Sequence, residues 1–148
     1  MEQVCGKIAA LDPTPATVRA ETWLAIAGGA DMVGYFPNRW SSAIGAAIRR
    51  ANSEIKALTP ALLAAPVDAS SDEQAVRVSA RGLNGALYVI AVNTSGTTVT
   101  ARISVNGLDG RSAAALGEDE VVASDARGFA ASLGPLAARV YVFPPLGW

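Results

Sequence analysis

The chain has 148 residues, enough for one ordinary domain or for a sandwich with a small appendage, and its 51% hydrophobic against 17% charged content supplies ample core material. Lys and Arg total 12 against 13 acids, a net charge of -1 with no basic block, which argues against an electrostatic nucleic-acid groove and against a polybasic membrane surface. With no histidine, Ser-His-Asp and Cys-His mechanisms and a histidine-ligated zinc site are excluded, leaving acid–base work to carboxylates, Tyr, Lys or the lone thiol of Cys5.

The opening MEQVCGKIAALDP has an acid at Glu2 and no basic run leading into a long apolar core, so no signal peptide is expected. No uninterrupted apolar stretch of about 18 residues is present to span a bilayer, and the chain reads as soluble, without assigning a compartment. Cys5 has no partner for an internal disulfide and reads as a small buried residue.

Helical periodicity comes first. Thr14 caps a helix with Pro15 in its first turn, Ala16, Ala20, Trp23, Leu24 and Ala27 share a face, and Gly28 and Gly29 stop it. Residues 30–36, apolar except for Asp31, suit a strand buried on both faces. Ser41 or Ser42 caps a second helix with a stripe of Ile44, Ile48, Ala51, Ile55 and Leu58, Arg50 pairs with Glu54 on its outer side, and Pro60 ends it. Residues 61–74 read as a linker lying against the protein through Leu62 and Leu63.

The period then becomes two. Val76, Val78 and Ala80 alternate with Arg77, Ser79 and Arg81, and Asn84-Gly85 supplies a turn favouring positive φ. ALYVIAVN follows as a more continuously apolar strand, and TVTARISVN alternates again with Val99, Ala101, Ile103 and Val105 on one side. Further strands are expected at EVVAS and LAARVYVFP, with weaker ones around residues 111–116 and 129–133. About six or seven short strands broken by Asn, Gly, Ser and Asp indicate an antiparallel sandwich. The expected class is α+β: a helix-strand-helix α/β unit over residues 1–60, the linker 61–74, and a sandwich over 75–148.

This order of parts carries a resemblance. RAETWLAIAGGAD, MVGYF, a polar aromatic loop, AIGAAIRRANSEIKAL, then LYVIAVNTSG and ARVYVFPP resemble the C-terminal end of a glycoside hydrolase, in which a TIM-type (β/α)8 barrel closes with its eighth strand and helix and an antiparallel sandwich follows. The resemblance covers nearly the whole chain, but neither GGADMVGYF nor LYVIAVNTSGTTVTARISV is a catalytic signature. It implies that the earlier barrel strands, and the general acid such families usually place on the fourth strand, are missing from this chain. Glycoside hydrolysis ordinarily needs two carboxyl groups flanking the scissile bond. Glu2, near where the seventh strand would end, is the candidate for the nucleophile of a full-length relative; the simpler reading is a solvated terminus.

The candidate substrate-binding residues are Tyr35, Asn38, Arg39 and Trp40, at the C-terminal end of the expected strand, where barrels build their sites from βα loops. Sugar rings offer apolar faces to aromatics and hydroxyls to Asn and Arg. Against this, Phe36 packs in a core and Arg39 and Trp40 cover the next helix. Asp31 reads as a strand-entry residue, Trp148 as packing, GEDE at 117–120 as a solvated turn rather than a calcium loop, and Arg77, Arg81 and Arg102 as outer sandwich faces.

The expected function is the C-terminal portion of a carbohydrate-active enzyme, not catalytically complete alone. The alternatives are a stand-alone carbohydrate-binding module and a non-catalytic interaction domain. No cofactor or metal is called for. The expected partners are a saccharide and whatever completes the strand at 30–36: the missing barrel portion, a partner chain or a second copy. Nucleic acid and membrane are not expected partners.

Overall fold

A computed structural model of the chain describes residues 13–36, 41–108 and 110–146. Two helices precede nine strands: α1 (Pro15–Ala27), α2 (Ser42–Leu62), β1 (Ala65–Val67), β2 (Ala69–Ser71), β3 (Val76–Leu83), β4 (Ala86–Asn93), β5 (Val99–Val105), β6 (Ser112–Ala115), β7 (Val121–Ala123), β8 (Phe129–Leu133) and β9 (Ala138–Phe143). A six-stranded sheet runs β1-β3-β4-β9-β6-β7 and a three-stranded one runs β2-β5-β8, with antiparallel pairing throughout. The class is α+β, as expected.

The alternation of the strands fills the space between the sheets. Val89 and Ala91 of β4, Tyr141 and Phe143 of β9, Ala101 and Ile103 of β5, and Phe129, Ala131 and Leu133 of β8 form one cluster. Phe129 sits at the aromatic centre, with ring centroids 5.0 Å from Tyr141 and 5.2 Å from Phe143. The other face of the larger sheet is covered as well: Ile90, Val92, Ala138 and Val140 pack on Ala20, Trp23 and Leu58 of the helices. This explains the continuous apolar run of β4, a strand buried on both faces. The hairpin turn between β3 and β4 is made by Asn84 at φ 50° and Gly85 at φ 78°, as the dipeptide predicts.

The helices differ from expectation in detail. Thr14 caps α1, accepting from the Thr17 amide at 3.2 Å while the Thr17 hydroxyl receives the Thr14 amide at 2.7 Å. Its buried residues are Val18, Ala20, Thr22 and Trp23, whereas Ala16 and Leu24 are exposed. The helix is covered on two sides, by the sheet and by α2 with residues 30–36, so a single stripe does not describe it. Ser41 caps α2, and the helix runs through Pro60 to Leu62. Proline removes one N–H bond, and the Lys56 carbonyl it would have met belongs to an exposed residue that water can serve.

Two other segments depart from expectation. Within residues 61–74, β1 pairs with β3 and β2 with β5, so the stretch read as a linker supplies an edge strand to each sheet. Residues 30–36 form no strand and have no ladder partner among the described residues. Their side chains nonetheless alternate: Val33 and Tyr35 are half-buried, while Met32 and Phe36 are 84% and 98% exposed. Phe36 therefore does not pack in a core made by the described residues.

Candidate functional site

Residues 28–36 lead from α1 across the helix pair. Gly28 takes the C-cap position, and Gly29 at φ 90° turns the chain where a side chain would strain it. Tyr35 then lies against the cluster of Val18, Ile44 and Ile48. Its hydroxyl is 2.8 Å from Thr22 Oγ1, which is 2.7 Å from the Val18 carbonyl oxygen. The carbonyl can only accept, so the Thr22 hydroxyl spends its proton there and Tyr35 is the donor in the other bond. This two-step relay fixes the Tyr35 ring on the helices.

Beside it lies an open groove of about 250 Å³, walled by Tyr35, Phe36, Val18 and Ile44, with Pro13 and Glu21 at its rim. Aromatic walls next to one carboxylate suit a saccharide ring better than a catalytic pair, which needs two carboxyl groups. Of the residues lining this groove, Glu21 carries the one carboxylate. Asp31 lines a different hollow, with Ile26, Ile55 and Arg81. The remaining sequence candidates, Glu2, Asn38, Arg39 and Trp40, lie outside the described residues, as do Cys5 and Trp148. No group of three or more potential metal ligands occurs among the described residues.

The platform under the groove is held by a network only partly visible in the sequence. Glu54 accepts from Arg50 Nε at 3.1 Å, the expected pair on one helix, and also from Arg19 and from Trp23 Nε1 at 3.3 Å on the other. Arg19 Nε reaches on to the carbonyl of Ala138 in β9 at 3.3 Å. One carboxylate thus ties α2 to α1, and Arg19 ties both to the large sheet. Only the Arg50 to Glu54 spacing of four residues signalled any of this. Elsewhere, Glu118 and Glu120 of the GEDE turn both bind Arg139, at 2.8 and 2.6 Å, and Arg81 Nε donates to the Leu62 carbonyl at 3.3 Å, fastening the end of α2.

No protein-family model matches the chain, and no curated protein matches it in sequence. Solved structures do. An α-amylase from Geobacillus thermoleovorans, crystallised with acarbose, superposes with a TM-score of 0.69 at 16% identity over 95% of this chain and 36% of its own. An Anoxybacillus α-amylase gives 0.60 at 16% identity over 90% and 33%, and an endoxylanase from Clostridium papyrosolvens gives 0.59 at 18% identity over 89% and 39%. The fold fits the C-terminal part of a glycoside hydrolase. The chain spans only about a third of the length of these structures. Among the described residues, no helix is long and apolar enough to cross a membrane.

Proposed function

We propose that this chain serves as the C-terminal portion of a carbohydrate-active enzyme, with residues 30–36 in the place of the last barrel strand and β1 to β9 as the accessory sandwich. The observation that carries the reading is the segment at residues 30–36 itself. It packs Tyr35 on two helices, half-buries Val33, leaves Met32 and Phe36 bare, and has no ladder partner among the described residues, in a fold shared with part of several glycoside hydrolases. A central barrel strand has this exposure pattern before its neighbours are added: one face on helices, the other toward the barrel interior, both edges requiring hydrogen bonds.

In this reading Tyr35, Asn38, Arg39 and Trp40 form one wall of a saccharide site at the C-terminal end of that strand, and the barrel supplies the remaining walls and the catalytic carboxylates. Glu2 is the nucleophile candidate. The chain is incomplete as a catalyst by itself, and its partners are a saccharide together with the barrel portion or a chain standing in for it.

The test is amide hydrogen exchange across residues 32–35, together with turnover of aryl glycosides, for the chain alone and joined to an upstream barrel segment. Alone, those amides exchange quickly and no turnover is seen; with the barrel they become protected, and Tyr35→Ala or Trp40→Ala weakens saccharide binding. A monodisperse monomer with residues 32–35 already protected would overturn the reading. Saccharide binding by the isolated chain, lost in Trp40→Ala without any barrel, would favour a stand-alone binding module instead.

A further inference from the structure

We propose that the outer face of the three-stranded sheet carries a second ligand site, for the carboxylate of an acidic saccharide, centred on Arg127 with Arg102 beside it. The saccharide class rests on the reading above; the site itself rests on different residues. Arg102 and Arg127 both line two adjoining open hollows of about 390 and 310 Å³. Asp125 and Ala126 complete one; Ser70, Ser71, Asp72 and Ser104 complete the other.

The turn that presents Arg127 is fixed to the sheet. Asp125 Oδ1 accepts from the Arg127 amide at 2.7 Å, the Ser104 hydroxyl donates to the Arg127 carbonyl at 2.8 Å, and Gly128, at φ 115°, comes so close to Ile103 that no side chain fits. Arg102 is fixed too, its backbone amide donating to Asp72 Oδ1 at 2.7 Å and its guanidinium ion-paired with Asp125. The Arg127 guanidinium, by contrast, makes no ion pair or hydrogen bond with any described residue. Arg102 Nε is shielded from solvent and has no acceptor. An uncommitted guanidinium, that of Arg127, therefore stands exposed on a rigid base, a preorganised arrangement for a ligand that brings acceptors.

Charge narrows the choice. Arg102 and Arg127 balance Asp72 and Asp125, so a dianion such as phosphate meets two carboxylates, whereas a single carboxylate matches the planar fork of one uncommitted guanidinium. Ser70, whose hydroxyl is unpartnered among the described residues, and the second oxygen of Asp72 then face the hydroxyls of a sugar ring.

The test is an NMR titration of the whole chain, following the arginine Nε–H signals, with sodium glucuronate, glucose and sodium sulfate as probes. Saturable shifts of Arg102 and Arg127 with glucuronate are expected, none with glucose, and an affinity about tenfold weaker in Arg127→Ala. Arg127→Lys should fall between, since it keeps the charge and loses the fork. The side chain of Arg127 is exposed and its turn is held through the backbone, so these variants keep the fold. No shift at tens of millimolar glucuronate, an equal response to glucose or sulfate, or undiminished affinity in Arg127→Ala each overturns the site. None of these results bears on protection of residues 32–35, so this proposal and the barrel reading fail separately.

Discussion

Gly128 is the residue at which backbone approach is closest. A Cβ built there would stand 2.0 Å from the Ile103 carbonyl oxygen and 2.9 Å from the Ser104 Cα, both main-chain atoms of β5 that cannot swing aside. Gly128→Ala should therefore cost about 3 kcal/mol or more, read from the urea midpoint, and detach the Asp125 to Gly128 turn. Asn93 is a different single-residue anchor. Wholly buried, it donates from Nδ2 to the carbonyls of Thr97, Leu133 and Gly134 at 2.7, 3.1 and 2.8 Å, and accepts from the Ser95 amide at 2.9 Å. Asn93→Ala takes the donor from the buried Leu133 carbonyl and from the half-buried one of Gly134, with an expected loss of about 1 to 3 kcal/mol. Tyr141 gives a pH signature. Burial first, and then Glu120 nearby, push its phenol up to about 12. The folded state therefore holds this proton more tightly than the unfolded chain, so the stabilisation is complete below pH 10 and is lost as pH rises through about 12. Tyr141→Phe should flatten that alkaline decline in denaturation measured across the same window.

At the scale of elements, the helix pair is coupled to the large sheet through Trp23 and Glu54. The Trp23 ring is fully buried between α1 and the strands β4 and β9. Its replacement by Ala should cost about 3 to 5 kcal/mol by chemical denaturation. Glu54→Gln weakens three donors at once, in Arg19, Arg50 and Trp23, with an expected cost of about 1 to 3 kcal/mol and a shift of the Trp23 indole N–H resonance. The segment 30–36 is the opposite case, held on one side only. Thr22→Val removes the acceptor of the Tyr35 hydroxyl, and it should loosen residues 33–36 in hydrogen exchange while leaving the sandwich melting nearly unchanged.

For the whole molecule, the two sheets and the helix layer enclose two apolar clusters on opposite faces of the large sheet, so this sheet is the shared wall of the structure. The helices contribute a third, smaller cluster beneath residues 30–36, with Val18, Ile44 and Ile48 at its centre. Met32 and Phe36 stand outside all three, nearly bare. Two bulky apolar groups on a segment with free backbone donors invite association. Phe36→Asp should therefore shift the isolated chain toward monomer in sedimentation velocity, without lowering its denaturation midpoint.

The sandwich was legible because period-two alternation and Asn-Gly, Asn-Thr-Ser-Gly and Asp-rich breaks are local signals; Phe129–Leu133 emerged with the bounds read from residues alone. The caps at Thr14 and Ser41 and the buried stripe of α2 were legible for the same reason, since capping and helical spacing act over three or four residues. Local signals misjudged Pro60, past which the helix continues, and residues 65–71, where pairing with β3 and β5 drew the short runs APV and ASS into the sheets. The apolar run at 30–36 showed that the segment is built to be covered. Only the tertiary structure decided which side is covered, because hydrophobicity records the demand for burial while burial itself depends on which surfaces lie nearby. The same limit hid Arg19 and Trp23 from Glu54, and Arg102 from Asp125, whose separations of 35, 31 and 23 residues leave no periodic trace along the chain.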